Sequence, residues 1–457
     1  MVSRFVKPVM KIFSLPLLSL AAVTANPANA APQVQSSIEA RAEGEVAKFY
    51  SARNFRPLWL NGAQPSAAAS RLLRILEKAE LDGMNAARSR AWKIEEALEA
   101  AASGDEDSAA RAELLLSQAW VEYVQTLKRP ADVGMIYADP SLAPRAPTAA
   151  QILEAAASAR SLDRHVDQVA KVNPVYAQLR EALAALQEGR GSDLIPLGKS
   201  TIQAERALRM NMERARAIPA DQKGKFILVD AASEKLWMYE DGQVAGSMRV
   251  IVGKPTEQTP MIASTVRSAV LNPYWNVPVD LVQKRIAPAV LSEGFGYLRA
   301  KKYEILSDWT ENAQVVDPAT VDWAAVAAGR KELRVRQLPG NGNMMGDMKF
   351  MFPNEFGVYL HDTPDKSLFT QAARKLSSGC VRVEDAPRLA RWLFGTMPRA
   401  NSSAPEQVVE LGSAVPVYIT YLTVGVEGQS LAFRQDVYGR DRQDSRRYAS
   451  MAGDGGN

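Results

Sequence analysis

The spacing of apolar residues divides this chain near residue 220. From Val34 to Ala220 the text is alanine-rich, and apolar positions recur at the three-to-four-residue spacing of amphipathic helices. Glu45-Val46-Ala47-Lys48-Phe49-Tyr50 and Leu72-Leu73-Arg74-Ile75-Leu76 show it, as does Leu114-Leu115-Leu116 running on through Trp120, Tyr123, Val124 and Leu127. Breaks fall at Asn61-Gly62, Gly104 to Asp107, Pro130, Pro140 to Pro147 and Asn173-Pro174. The region reads as a bundle of short helices. Its aromatic residues read as core, and His165, amid Asp163, Arg164 and Asp167, as a solvated helix residue.

At Lys225 the pattern changes to strands. Phe226-Ile227-Leu228-Val229 is a buried run, Lys235 to Tyr239 alternates, Asp241-Gly242 is a hairpin turn and Met248 to Val252 returns. Thr256 to Pro260 is a polar loop, followed by AVLNPYWNVP at 269–278. A charge-mixed helical segment from Asp280 to Glu332 then interrupts the strands; its Lys284, Arg285, Trp309 and Trp323 show no catalytic pattern. Strands resume at Lys349 to Phe352 and Val358 to Leu360, a helix covers Ala386 to Phe394, and Val415 to Thr423 and Leu431 to Phe433 are expected to finish the sheet. The polar, Gly-containing tail from Arg440 to Asn457 is expected to be disordered. The resulting expectation is a multidomain α + β protein. A helical scaffold spans 31–222, a mainly β domain 223–439 carries the insertion at 280–332, and the tail is 440–457.

A chain of 457 residues has room for two or three such domains. Lys plus Arg is 55 against 51 Asp plus Glu, too even a balance to suggest nucleic acid as a partner. Apolar content of 47% places the chain among globular proteins. The first thirty residues read as an export signal. Arg4, Lys7 and Lys11 form a basic start, Ile12 to Val23 an apolar run, and Ala28-Asn29-Ala30 a small-x-small site with cleavage after Ala30. A run that short, broken by Pro16, is a poor bilayer span, so a membrane anchor is the weaker reading. The absence of cysteine near the site excludes lipoprotein anchoring, and no later stretch is long and apolar enough to cross a membrane.

Export changes the meaning of the single cysteine. In an oxidising compartment cysteines usually pair as disulfides. Cys380 has no partner, so it is either an inert buried residue or a reactive thiol. Its surroundings favour the second. It stands in YLHDTPDKSLFTQAARKLSSGCVRVE (359–384), nineteen residues after His361, one of only two histidines. An imidazole that takes a thiol's proton makes it a useful nucleophile. Ser377-Ser378-Gly379 are small residues that leave backbone N–H groups open to an oxyanion at the sulfur, which points to acyl transfer through a thioester.

The same stretch carries a resemblance. His361 followed by S-S-G-C-V-R resembles the signature of the YkuD-type L,D-transpeptidases, the cysteine enzymes that cross-link peptidoglycan. FMFPNEFGVYLHDTP and SSGCVRVED are closest to the YcbB-like subgroup, whose N-terminal scaffold is also similar to FYSARNFRPLWLNG (49–62) and NPVYAQLREAL (173–183). VIVGKPTEQTP resembles the start of the family's catalytic domain. The resemblance implies a mainly β YkuD-like catalytic domain with a helical insertion that caps the site. It implies Cys380 as nucleophile and His361 as base, no metal or organic cofactor, and peptidoglycan stem peptides as substrate. Longer members insert a peptidoglycan-binding repeat before the catalytic domain; Gln187 to Ala220 is too short to hold one.

Secondary candidates keep two readings each. Asp362 and Asp365 orient the imidazole, or HDTPD is simply a turn and a backbone carbonyl does the orienting; the turn is favoured. Ser378 takes the place where many YkuD-type enzymes have histidine, so an acid-base role for it is disfavoured. Arg382 meets a substrate carboxylate or pairs with Glu384 or Asp385. Tyr359, two residues before His361, points with it into the site if the strand is regular. Trp275 lines the donor-peptide pocket or is a core tryptophan at a strand end. Other wall chemistries fit poorly. Two histidines 196 positions apart with no H-E-x-x-H disfavour a zinc peptidase, and no lysine has serine three residues before it, which disfavours an S-x-x-K transpeptidase. The alternatives that survive are an L,D-carboxypeptidase using the same cysteine with water as acceptor, attachment of a protein to the wall, and a non-catalytic scaffold that contacts wall-synthesis proteins through the helical region.

Overall fold

The computed structural model describes residues 27–218, 223–428 and 430–444. The expected export signal falls largely on residues 1–26, outside those described; the helix Pro27–Arg41 runs across the expected cleavage position. No helix among the described residues is long and apolar enough to cross a membrane.

The helical half follows the sequence's punctuation. Asp105 caps Glu106–Lys128, Thr148 and Gln151 form a capping box on Ala149–Ser158, and Asn173 caps Pro174–Gln187 with proline in the first turn. Each cap lies in or beside a predicted break, because the residues that satisfy the first free N–H groups of a helix are the ones that stop the preceding pattern. Trp59, Leu72, Leu116, Trp120, Tyr123, Tyr176 and Leu183 share one core. His165 is half-buried, edge-on to Trp120 with ring centroids 6.0 Å apart, so it is a packed residue and not the solvated one expected.

One buried carboxylate organises the start of this core. Glu113 accepts from the Tyr50 hydroxyl at 2.5 Å and from the amides of Leu58, Trp59 and Leu60 at 2.5, 3.1 and 3.0 Å. It thereby holds the irregular segment that seats Trp59. Glu113→Ala leaves the three amides without this acceptor and is expected to cost on the order of 3 kcal/mol, from about 1–3 kcal/mol for each buried donor left unsatisfied. Urea unfolding checks it, and a shift of less than about 1 kcal/mol, the size of an ordinary substitution, would refute the assignment.

Beyond residue 223 eight strands close into a ring. Ile262–Leu271 pairs with Met348–Met351, which pairs with Leu360–His361, and this lies parallel to Val381–Val383. Gln243–Gly253, Lys235–Glu240, Lys225–Asp230 and Gln407–Thr420 follow, the last returning to Ile262–Leu271. Closure leaves no long free edge on the ring. Val229, Val250, Val266, Phe350, Leu360, Val381 and Val417 form its core with Leu389 and Leu393 of the helix Ala386–Phe394, the span predicted for it.

Four features differ from the expectation. Ile136–Tyr137, from within the helical half, pairs in parallel with Ile262–Leu271. Conversely Leu431 does not finish the sheet: Val424–Glu427 and Ser430–Phe433 form a separate hairpin, and Val424 and Leu431 enter the helical core. The two halves are thus interlocked. The insertion is not purely helical. Trp275–Val277, Tyr303–Leu306 and Arg334–Gln337 make a three-stranded sheet with its own core, including Val277, Ile286, Val290, Ile305, Trp323 and Val335. Strands this short show too few alternations to be read from sequence. Finally, Arg440 to Asp444 is ordered, because Asp441 and Asp444 are ion-paired to Arg214, a fully buried side chain of the helix Thr201–Arg216, at 2.8 and 2.7 Å. The rest of the expected tail lies outside the described residues.

Candidate active site

Strand register brings the two predicted residues together. Leu360 pairs with Val381 and His361 with Arg382 in parallel, and the Val381 amide donates to the Tyr359 carbonyl at 3.0 Å. Leu360 and Val381 belong to the ring's core. Because strand side chains alternate, their neighbours Tyr359, His361, Cys380 and Arg382 fall together on the opposite face.

The imidazole of His361 is buried, and its Nδ1 lies 2.5 Å from the carbonyl oxygen of Asp362. A carbonyl can only accept, so Nδ1 carries the hydrogen and Nε2 keeps its lone pair. The orienting group is therefore the backbone carbonyl, and the Asp362 carboxylate is used elsewhere. It accepts from the Asp347 amide at 3.1 Å and from Lys366 Nζ at 2.5 Å. Gly346 permits this: a Cβ there would lie 2.5 Å from the Asp362 side chain. Asp365 caps the turn at Lys366–Thr370, as favoured for HDTPD.

Both candidate groups rest uncharged. Burial pushes His361 down to about 3, helped by the nearby positive charges of Arg382 and Lys349, against the pull of the Asp362 carbonyl. Burial pushes the Cys380 thiol up, opposed by the Tyr359 amide and Arg382. The thiol donates to the Gly357 carbonyl, Sγ to O 3.6 Å. The structure thus holds a neutral imidazole and a protonated thiol on one face of adjacent strands.

The loop before the cysteine corrects one expectation. The Gly379 amide is not open: it donates to Ser377 Oγ at 3.2 Å, and Ser377 Oγ in turn donates to the Cys380 carbonyl at 2.5 Å. Gly379 has φ +111°, a conformation that side-chain-bearing residues avoid. The amides of Ser378 and Cys380 have no hydrogen-bond partner among the described residues. The Ser378 hydroxyl faces the Glu257 carboxylate, which it and Lys254 hold below the usual range.

Arg382 does not take the bland reading either. Glu384 is occupied by Arg249, and Asp385 caps the following helix beside Arg388. Arg382 Nε is buried without a partner. Its charge is felt at Cys380 and His361; burial lowers its own pKa, and Arg285 of the insertion adds to that. Trp275 is half-buried against the insertion's core, its ring 6.3 Å from that of Tyr303. Lys349 and Thr259 were missed by sequence reasoning; only register and loop packing reveal them, and the structure shows the orienting backbone carbonyl to be that of Asp362.

A protein-family model for the L,D-transpeptidase catalytic domain (YkuD) matches residues 224–419, and one for a scaffold domain matches 44–183. A Haemophilus influenzae protein whose name assigns it provisionally to the L,D-transpeptidases is 31% identical over 411 residues, covering 87% of this chain and 78% of that protein. The chain belongs to the L,D-transpeptidase family, and membership supports a peptidoglycan transpeptidase role. Among solved structures it is similar to an L,D-transpeptidase from Mycobacterium smegmatis, at 15% identity over 43% of this chain and 58% of that one, TM-score 0.22. The Enterococcus faecium L,D-transpeptidase aligns at 15% identity over 48% of this chain and 64% of its own, TM-score 0.21. The alignments span less than two thirds of either solved chain.

Proposed function

We propose that this protein is a periplasmic L,D-transpeptidase that forms 3–3 cross-links in peptidoglycan through a thioester on Cys380. The observation that carries the reading is the fixed tautomer of His361 on the face it shares with Cys380. The thiol proton moves to Nε2 as Sγ attacks the carbonyl of the third stem residue. The amides of Ser378 and Cys380, without partners among the described residues, receive the oxyanion in this reading, and collapse expels D-alanine, whose amine takes the proton from His361. The side-chain amine of a second stem then attacks the thioester, losing its proton to His361, and the released thiolate recovers that proton. Arg382, a half-buried cation whose buried Nε has no partner, is suited to a stem carboxylate. The basic, apolar, small-residue start of the chain supports export.

The insertion at 280–332 is read as the lid that keeps water from the thioester. Lys284 and Arg285 lie close enough for their charges to be felt at Glu257 and Arg382, beside the cysteine loop. Mass spectrometry of muropeptides incubated with the purified protein tests both statements. Disaccharide-tetrapeptides should yield free D-alanine and a dimer linked between third residues. Tripeptide monomer alone would replace the transpeptidase with an L,D-carboxypeptidase. Shortening the insertion should lower the dimer-to-tripeptide ratio, and an unchanged ratio at equal acylation would remove the lid role.

A further inference from the structure

The cysteine loop is held from outside the catalytic strands by a chain of hydrogen bonds that starts in the helical half. The buried Arg214 of the helix Thr201–Arg216 binds Asp441 and Asp444 and donates to the Tyr421 carbonyl at 3.0 Å. Tyr421 stacks on Tyr438 at 4.9 Å, its hydroxyl accepts from the Tyr438 amide at 3.1 Å, and the Arg440 guanidinium lies over both rings at 5.3 and 5.4 Å. From there the contacts pass to the polar loop at 253–259. The Tyr438 hydroxyl donates to the Gly253 carbonyl at 2.5 Å, Arg440 donates to the Thr259 carbonyl at 2.8 Å, and Gln258 Nε2 donates to the Tyr438 carbonyl at 3.2 Å. The last link reaches the nucleophile. Thr259 Oγ1, fully buried, accepts from the Gly253 amide at 2.8 Å and donates to the Gly379 carbonyl at 2.8 Å. That carbonyl belongs to the peptide unit whose N–H is the amide of Cys380.

We propose that Tyr438, Arg440 and Thr259 are positioning residues for acylation: through them the helical half sets the plane of the Gly379–Cys380 peptide, and so the aim of the Cys380 amide at the developing oxyanion. The carbonyl and N–H of one peptide unit are coplanar, so a hydrogen bond that fixes the carbonyl also fixes the direction of the amide. An oxyanion donor is effective only when it is aimed before the reaction begins. The sheet does not supply this constraint, since Gly379 and Cys380 lie between the strands Lys375–Ser377 and Val381–Val383. Glycine at 379 adds freedom that something else must remove. Ser377 Oγ ties the Gly379 amide and the Cys380 carbonyl, but the carbonyl of the Gly379–Cys380 peptide is held by Thr259, itself braced by Tyr438 and Arg440 from a C-terminal segment with no catalytic signature. The proposal rests on Cys380 being the nucleophile.

Two reactions at the same sulfur separate positioning from mere structure. Acylation by a β-lactam passes through a tetrahedral oxyanion; alkylation by iodoacetamide is a displacement at carbon with no oxyanion. In the full chain, Tyr438→Phe removes one hydroxyl, Arg440→Met removes the guanidinium, and Thr259→Val removes the direct tie to Gly379. The expected result is a fall in acylation rate on the order of tenfold or more, largest for Thr259→Val, with alkylation changed less than about twofold. Thr259→Ser, which keeps the hydroxyl, should restore acylation. Cys380→Ala, run alongside, must show neither reaction; adducts in that variant would overturn the nucleophile assignment itself. If Cys380→Ala is silent but the three variants acylate at the parent rate, the positioning role fails. It fails equally if acylation and alkylation fall together in the folded variants, or if Thr259→Ser does not recover.

Discussion

Cys380→Ala should fold as the parent does and release no D-alanine from tetrapeptide stems. The substitution removes one sulfur atom and one weak hydrogen bond, Sγ to the Gly357 carbonyl at 3.6 Å. The loop keeps its other ties, from Ser377 Oγ to the Cys380 carbonyl and from Thr259 Oγ1 to the Gly379 carbonyl. Stability should therefore change by no more than about 1 kcal/mol. The chemical loss is of another order. With no second cysteine in the chain there is nothing else to form a thioester. Removing a nucleophile from a comparable acyl-transfer site costs on the order of 10⁶-fold in turnover. A carbapenem, a strained acyl donor, makes the result visible by intact mass. The parent should gain one adduct and Cys380→Ala none. An adduct of the same mass on a folded Cys380→Ala protein would place the nucleophile elsewhere.

The sequence pointed to candidate residues more readily than to the geometry that joins them. Cys380 and His361 as a candidate pair, and the helix at Ala386–Phe394, were legible because each depends on local text: a unique thiol, a rare imidazole, and a proline-led run with apolar spacing. What was hidden is set by residues far apart in the chain. Thr259 lies 120 positions before Gly379, and Arg214 lies 230 before Asp444. Neither threonine in a polar loop nor arginine in a helix signals such a partner. The short strands failed for a different reason. Ile136–Tyr137 and Trp275–Val277 are set by pairing with distant strands, and two or three residues cannot display a period. The Gly379 amide is not open as small flanking residues suggest, because the Ser377 hydroxyl folds back and occupies it.

His361→Ala should cripple acylation at neutral pH and recover part of it in alkali. Without the imidazole only the fraction of Cys380 already ionised can attack. Burial holds the thiol above its ordinary value of about 8.5, so that fraction is small at neutral pH. A loss of about 10²- to 10⁴-fold is expected, the range for removing a general base. The variant's rate should then climb about tenfold per pH unit until the thiol titrates. The parent should behave differently on the acid side. His361 in the folded protein is pushed down to about 3, so falling pH does not protonate it until far below the ordinary imidazole value of about 6.5. Acylation by the parent should pass through that ordinary range without an inflection. Arg382 contributes to the depression, and replacing it with glutamine should bring the acid limb to higher pH. A parent profile that falls through pH 6.5 would show an imidazole exposed to water, and a His361→Ala protein with parent activity at neutral pH would remove it from the reaction altogether.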